Sequence, residues 1–175
     1  MKYVALLRGI NVGGNTRVPM ADLKKTLEEN SFTNVITLLN SGNVIFESDE
    51  NDEQKVCERV EEILEKKFGW HIFVILRNHN KIAELVKKNP FKQIEMNKNI
   101  RRYVSFFKEK VALQDMKELN VLANSIWEVC YVIDLSSVDL PNKKTVDAMA
   151  DIEKKYGKTN TTTRNWNTVE KLAAL

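Results

Sequence analysis

Apolar residues follow two rhythms along the chain, one of period two or continuous, the other of period close to 3.6. Tyr3 to Leu7 is an unbroken apolar run, the mark of a strand buried on both faces. After it, Met20, Leu23 and Leu27 recur at helical spacing, with Pro19 placed in the helix's first turn, where a missing N–H costs nothing. Val35 to Leu39 and Val44 to Phe46 read as strands joined by Asn40-Ser41-Gly42-Asn43, whose Ser-Gly pair suits a tight turn with positive φ. Residues 52–67 carry Val56, Val60, Ile63 and Leu64 on one helical face, and Gly69 closes that helix. His71 to Leu76 is a further strand. Asn78 caps a helix bearing Ile82, Leu85 and Val86, which Asn89-Pro90 stops.

The same order then returns. Arg102 to Phe107 predicts a strand, Gln114 to Leu119 a short helix, and Asn120 to Ala123 and Ile126 to Leu135 two strands. Thr145 to Tyr156 predicts a helix with Val146, Met149 and Ala150 inward, closed by Gly157. Thr159 to Thr163 is rich in β-branched residues and reads as an edge strand. Asn165 to Leu175 predicts a last helix showing Trp166, Val169 and Leu172 on one face. The expected fold is therefore α+β, with two ferredoxin-like βαββαβ-type halves, each with an extra helix, at residues 1–90 and 91–175. The repeat lies in element order, not in sequence identity between the halves.

Three blocks carry a resemblance beyond this pattern. They are Tyr3-Val4-Ala5-Leu6-Leu7-Arg8-Gly9-Ile10-Asn11-Val12-Gly13-Gly14 with Val18-Pro19-Met20, then Asn40-Ser41-Gly42-Asn43-Val44, and Thr163-Arg164-Asn165-Trp166-Asn167-Thr168-Val169. Together they resemble a bacterial family known as domain of unknown function 1697. The likeness is strongest over the first 47 and the last 17 residues; the middle follows mainly in element order. It implies a duplicated α+β arrangement and no catalytic residue.

Composition narrows the function classes. Apolar residues make up 43% and charged residues 29%, close to globular averages, which excludes disordered and collagen-like chains. No apolar run reaches the ~20 residues of a membrane span, and the N-terminus meets Arg8 before a signal peptide could form, so the expectation is a cytoplasmic protein. Cys57 and Cys130 form no CxxC pair and read as small core residues. His71 and His79 are too few to hold a metal, and neither shows a carboxylate set pointing to general-base chemistry. No metal site and no cofactor motif is recognisable. The formal charge of +3 hides two opposed segments. Residues 47–65 hold nine acids against two bases, a net of −7, and residues 77–110 hold ten bases against three acids, a net of +7.

Candidate chemistry concentrates in the three polar blocks. The loop Arg8 to Asn15 follows a strand and precedes a helix, and its glycines let backbone approach a ligand closely. Successive N–H groups in such a loop can cradle an anion, with Arg8 and Arg17 adding charge-assisted bonds. Neither a Walker A sequence nor GxGxxG spacing is present. Asn11, Gly13, Gly14, Arg17, Asn40, Ser41, Asn43, Arg164 and Asn165 complete the candidate set for a small anionic, phosphate- or carboxylate-bearing ligand. Each has a structural counterpart: Asn40 to Asn43 as a hairpin turn, and Asn165 or Thr163 as a helix cap that leaves Arg164 for a ligand. An enzyme would use Arg8, Asn43 and Arg164 as electrophilic stabilisers, yet no nucleophile or acid–base pair accompanies them. The alternative is a nucleic-acid or protein interaction module built on the basic 77–110 region, with Tyr103, Phe106 and Phe107 beside Arg101 and Arg102 as stacking platforms. No feature of the sequence sets an oligomeric state.

Overall fold

A computed structural model describes residues 1–14, 16–111, 121–124, 127–134 and 147–175. The described residues form eight strands and five helices. In the first part these are β1 (Lys2–Leu7), α1 (Met20–Glu29), β2 (Thr33–Leu38), β3 (Asn43–Glu47), α2 (Glu53–Phe68), β4 (Val74–Asn78) and α3 (His79–Lys88). There follow β5 (Ile100–Phe107), β6 (Val121–Asn124), β7 (Glu128–Asp134), α4 (Asp147–Tyr156), β8 (Thr161–Asn165) and α5 (Trp166–Ala174). The expected helix at Gln114 to Leu119 lies outside the described residues, as do Asn15, Ile126, Leu135 and Val146.

Two antiparallel four-stranded sheets organise the chain, in the orders β2-β3-β1-β4 and β6-β7-β5-β8. Each places its first and third strands side by side at the centre, the order of a split βαβ unit. The fold is thus mixed α+β, compatible with the duplicated ferredoxin-like arrangement expected. The compact units are Met1–Glu84 with Lys171–Leu175, and Leu85–Glu170, whereas the sequence suggested a division at 90/91.

Alternation along β1 explains its unbroken apolar run. Tyr3, Ala5 and Leu7 join Leu23 and Leu27 of α1 and Val56, Val60 and Leu64 of α2 in one core cluster. Val4 and Leu6, on the opposite face, are equally buried. A central strand covered on both faces has no position for a polar side chain. In the second unit, Phe107, Val129, Tyr131, Ile133 and Ile152 form a cluster with Tyr103 and Tyr156 packed against it.

Local chemistry sets the element ends, with some departures from expectation. Pro19 precedes α1 instead of lying inside it, at φ −61° and ψ 131°, and its carbonyl accepts from Leu23 N–H. Asp52 caps α2 by accepting from the N–H groups of Gln54 and Lys55, and Gly69 ends it at φ 80°. The strand expected at His71 to Leu76 runs from Val74 to Asn78. Its extent is dictated by its partner, since β1 pairs Leu7 with Val74 and Tyr3 with Asn78. In α4, Ala150 is exposed where an inward position was expected, Ile152 is buried, and Val146 and the side chain of Met149 lie outside the described residues.

Candidate functional site

The end of β1, the Gly-rich loop and the β2–β3 turn are built as one structure. Leu7 N–H donates to the Gly42 carbonyl at 2.8 Å and Arg8 N–H to the Phe73 carbonyl at 2.9 Å. Gly42 sits at φ 75°, and a Cβ there would lie 2.8 Å from both Leu7 Cβ and Ile10 Cδ1. The turn therefore needs glycine twice over, for its backbone conformation and for its contact with Ile10.

Asn11 ties the two loops together. Its Nδ2 donates to the Asn40 carbonyl at 2.8 Å and the Val18 carbonyl at 3.0 Å, while its Oδ1 accepts from Val18 N–H at 2.9 Å. Its own N–H donates to the Thr16 carbonyl, and its backbone is left-handed at φ 57°. The side chain's hydrogen-bonding capacity is thus committed to protein partners, so its part in the site is to hold the loop's shape. Asn43 is fully buried and donates to the Leu38 carbonyl at 2.9 Å and Ser41 Oγ at 3.0 Å, which fixes the turn from inside.

A cavity of about 180 Å³ opens against this frame, lined by Asn11, Gly14, Thr16 and Arg17. Gly13 and Gly14 stand at φ 66° and 70°. Among the described residues, their N–H groups have no backbone acceptor and no carboxylate pairs with Arg17. Thr16 Oγ1 donates to the Val12 carbonyl at 2.9 Å, closing the loop's neck. Sequence reasoning passed over Thr16, although its place between the glycine pair and Arg17 was a usable signal.

Of the candidate residues, the structure joins Arg8, Asn11, Gly13, Gly14 and Arg17 with Asn40, Ser41 and Asn43 in one loop pair. Arg164 and Asn165 lie in the second unit, where their roles are visible locally. Arg164 is only 8% exposed, and its Nη1 donates to Thr162 Oγ1 at 2.7 Å and the Thr163 carbonyl at 2.9 Å. The expectation that it stood clear for a ligand is corrected by this burial, which follows from its place in β8 opposite Val104. Asn165 Oδ1 accepts from Asn167 N–H at 2.9 Å, the capping arrangement read from sequence.

The histidine reading also changes. His71 Nδ1 lies 3.0 Å from Glu65 Oε2, and its Nε2 lies 4.0 Å from Glu61 Oε2. Glu61 is buried and accepts from Val74 N–H at 2.7 Å. Glu61 and Glu65 share one face of α2, one turn apart, and Gly69 returns the chain so that His71 meets them. This brace secures the start of β4. Among the described residues no group of three or more His, Cys, Asp or Glu side chains is placed to hold a metal ion.

Of the aromatic residues expected as platforms in the basic region, Phe106 and Phe107 are buried, while Tyr103 is half-buried and stacks on Tyr131 at 5.9 Å. Arg102 lies over the Phe91 ring at 5.8 Å and donates to Asn167 Oδ1. No helix among the described residues is long and apolar enough to cross a membrane.

Comparison with known proteins agrees with the architecture. The family described as "Protein of unknown function (DUF1697)" matches residues 1–134. A conserved bacterial protein, SP0830 from Streptococcus pneumoniae, has a similar solved structure, with TM-score 0.72 and 22% identity. The alignment spans 99% of this chain and 97% of that one, and at this identity it speaks for the fold. Among curated proteins none matches.

Proposed function

Because the chain belongs to the DUF1697 family, a family of unknown function, we propose from its own geometry that it binds a small anionic ligand at the Gly-rich loop. The observation that carries this reading is the cavity walled by Arg17, Thr16, Asn11 and left-handed Gly14. Backbone at left-handed glycines can turn consecutive N–H groups toward one point, and an anion there completes bonds that protein acceptors do not. Arg17 adds a guanidinium able to bond a phosphate or carboxylate through two donors at once.

Pre-organisation supports the same reading. Asn11, Asn43 and Gly42 hold the loop through backbone and side-chain bonds that involve no ligand, so binding costs little ordering. The cavity is small beside the roughly 300–1,000 Å³ of pockets for drug-sized molecules. It suits an anionic group more than a whole nucleotide, and any remainder of the ligand extends outside it.

Thermal unfolding with inorganic phosphate tests the proposal. A ligand held at 100 times its dissociation constant adds about 2.7 kcal/mol to stability, a readily measured rise in Tm. The wild-type chain should show this rise and Arg17→Ala should lose it. Equal rises in both proteins would remove Arg17 from the site, and no rise in either would remove the site.

A further inference from the structure

Two apolar side chains stand exposed on the loops that frame the cavity. Val12 is 72% exposed at the tip of the Gly-rich loop, and Leu39 is 52% exposed in the β2–β3 turn. Their chain neighbours Asn11 and Asn40 are hydrogen-bonded at 2.8 Å, so Val12 and Leu39 stand on adjoining loops, each next to a residue of the bond that ties these loops beside the cavity. Leu39 also has φ 60°, a left-handed backbone that glycine or asparagine adopts readily and leucine does not. The turn does not require leucine there, because Gly42 and Asn43 already fix its shape. Position 39 thus carries an apolar side chain in water on a strained backbone, and such outliers cluster at binding sites. Val12 repeats the pattern of an apolar group in water, here between left-handed Asn11 and Gly13.

From this pairing of a cationic cavity with apolar side chains on the adjoining loops, we propose that the ligand is amphipathic: an anionic group for the cavity, carried on an apolar or aromatic body that Val12 and Leu39 cover. This rests on the anion-binding reading above and specifies its ligand class. The cavity takes the phosphate or carboxylate, and the body lies outside, where the two side chains lose their water on binding. An inorganic anion would use the first part alone.

Calorimetric titration of the full chain separates the two claims, with inorganic phosphate and phenyl phosphate as probes. Covering about 55 Å² of apolar surface corresponds to about a tenfold gain in affinity. Wild type should therefore bind phenyl phosphate at least about tenfold more tightly than phosphate. In the Val12→Ser, Leu39→Asn double variant the ratio should fall to about twofold or less, with phosphate affinity unchanged. Asparagine is at home at positive φ, so this variant keeps the turn. Phosphate binding with no preference for the phenyl compound, or a preference that survives the double substitution, overturns the amphipathic assignment and leaves the anion site standing. Absence of binding by both probes overturns the anion site and this inference with it.

Discussion

Replacing Gly42 by alanine forces a Cβ to within 2.8 Å of Leu7 Cβ and Ile10 Cδ1 at a φ of 75°. Left-handed strain and overpacking together should cost about 2–4 kcal/mol, measurable by urea denaturation. A cost under about 0.5 kcal/mol would mean that the turn relaxes freely. Asn11→Ala removes three hydrogen bonds and leaves Val18 N–H without its acceptor, so it should destabilise by about 1–3 kcal/mol. The Ser-Gly pair announced a positive-φ turn in the sequence, and that much was legible. The role of Asn11 was not, because an asparagine in a glycine-rich loop suits a ligand and a loop staple equally well. Leu39 carried no signal, since a leucine at positive φ is specified by the surrounding turn and not by its own preference.

At the level of elements, periodicity located each helix and strand among the described residues, while pairing and burial set where they stop. The caps of α2 follow composition: Asp52→Ala should cost about 1 kcal/mol by loss of the bonds to Gln54 and Lys55. β4 shows the opposite case, because its start waits for Leu7 of β1, a partner that local sequence does not reveal. Cys130 of β7 is fully buried, and burial, then Glu128, push its thiol up to about 12. Thiolate is the reactive form, so this thiol should resist a maleimide reagent at pH 8 in the native protein and react after unfolding. His79, at the start of α3, hydrogen-bonds the Leu172 carbonyl at 3.0 Å through Nε2. Burial first, then Lys2, hold its imidazole below the ordinary value, against the raising effect of that carbonyl. The folded state consequently binds fewer protons than the unfolded state just below pH ~6.5. Its contribution to stability is present above that pH and is lost as pH falls through the lowered value. His79→Gln should flatten this part of the stability profile, and an unchanged profile would assign the slope elsewhere.

Over the whole molecule, the α+β class and the repeated strand order were readable because element order needs only local patterns. The unit limits depend on long-range packing, which is why Asn89-Pro90 marks the end of α3 while the first compact unit ends at Glu84 and resumes at Lys171. Charge is also distributed at this scale. Lys87, Lys88, Lys92 and Lys98 are exposed in the basic segment, whereas Arg77 is buried and Arg102 is engaged with Asn167. Any RNA held by these four lysines should bind without regard to sequence and lose about a hundredfold in affinity between 50 and 200 mM salt, as four phosphate contacts imply. A salt-independent affinity would contradict charge as its source. Anion binding at the Gly-rich loop is read residue by residue from the backbone amide chemical shifts of the ¹⁵N-labelled chain during phosphate titration. Saturable shifts centred on Gly13, Gly14, Thr16 and Arg17, absent in Arg17→Ala, are expected; shifts centred elsewhere, or none in that loop, would rule the site out.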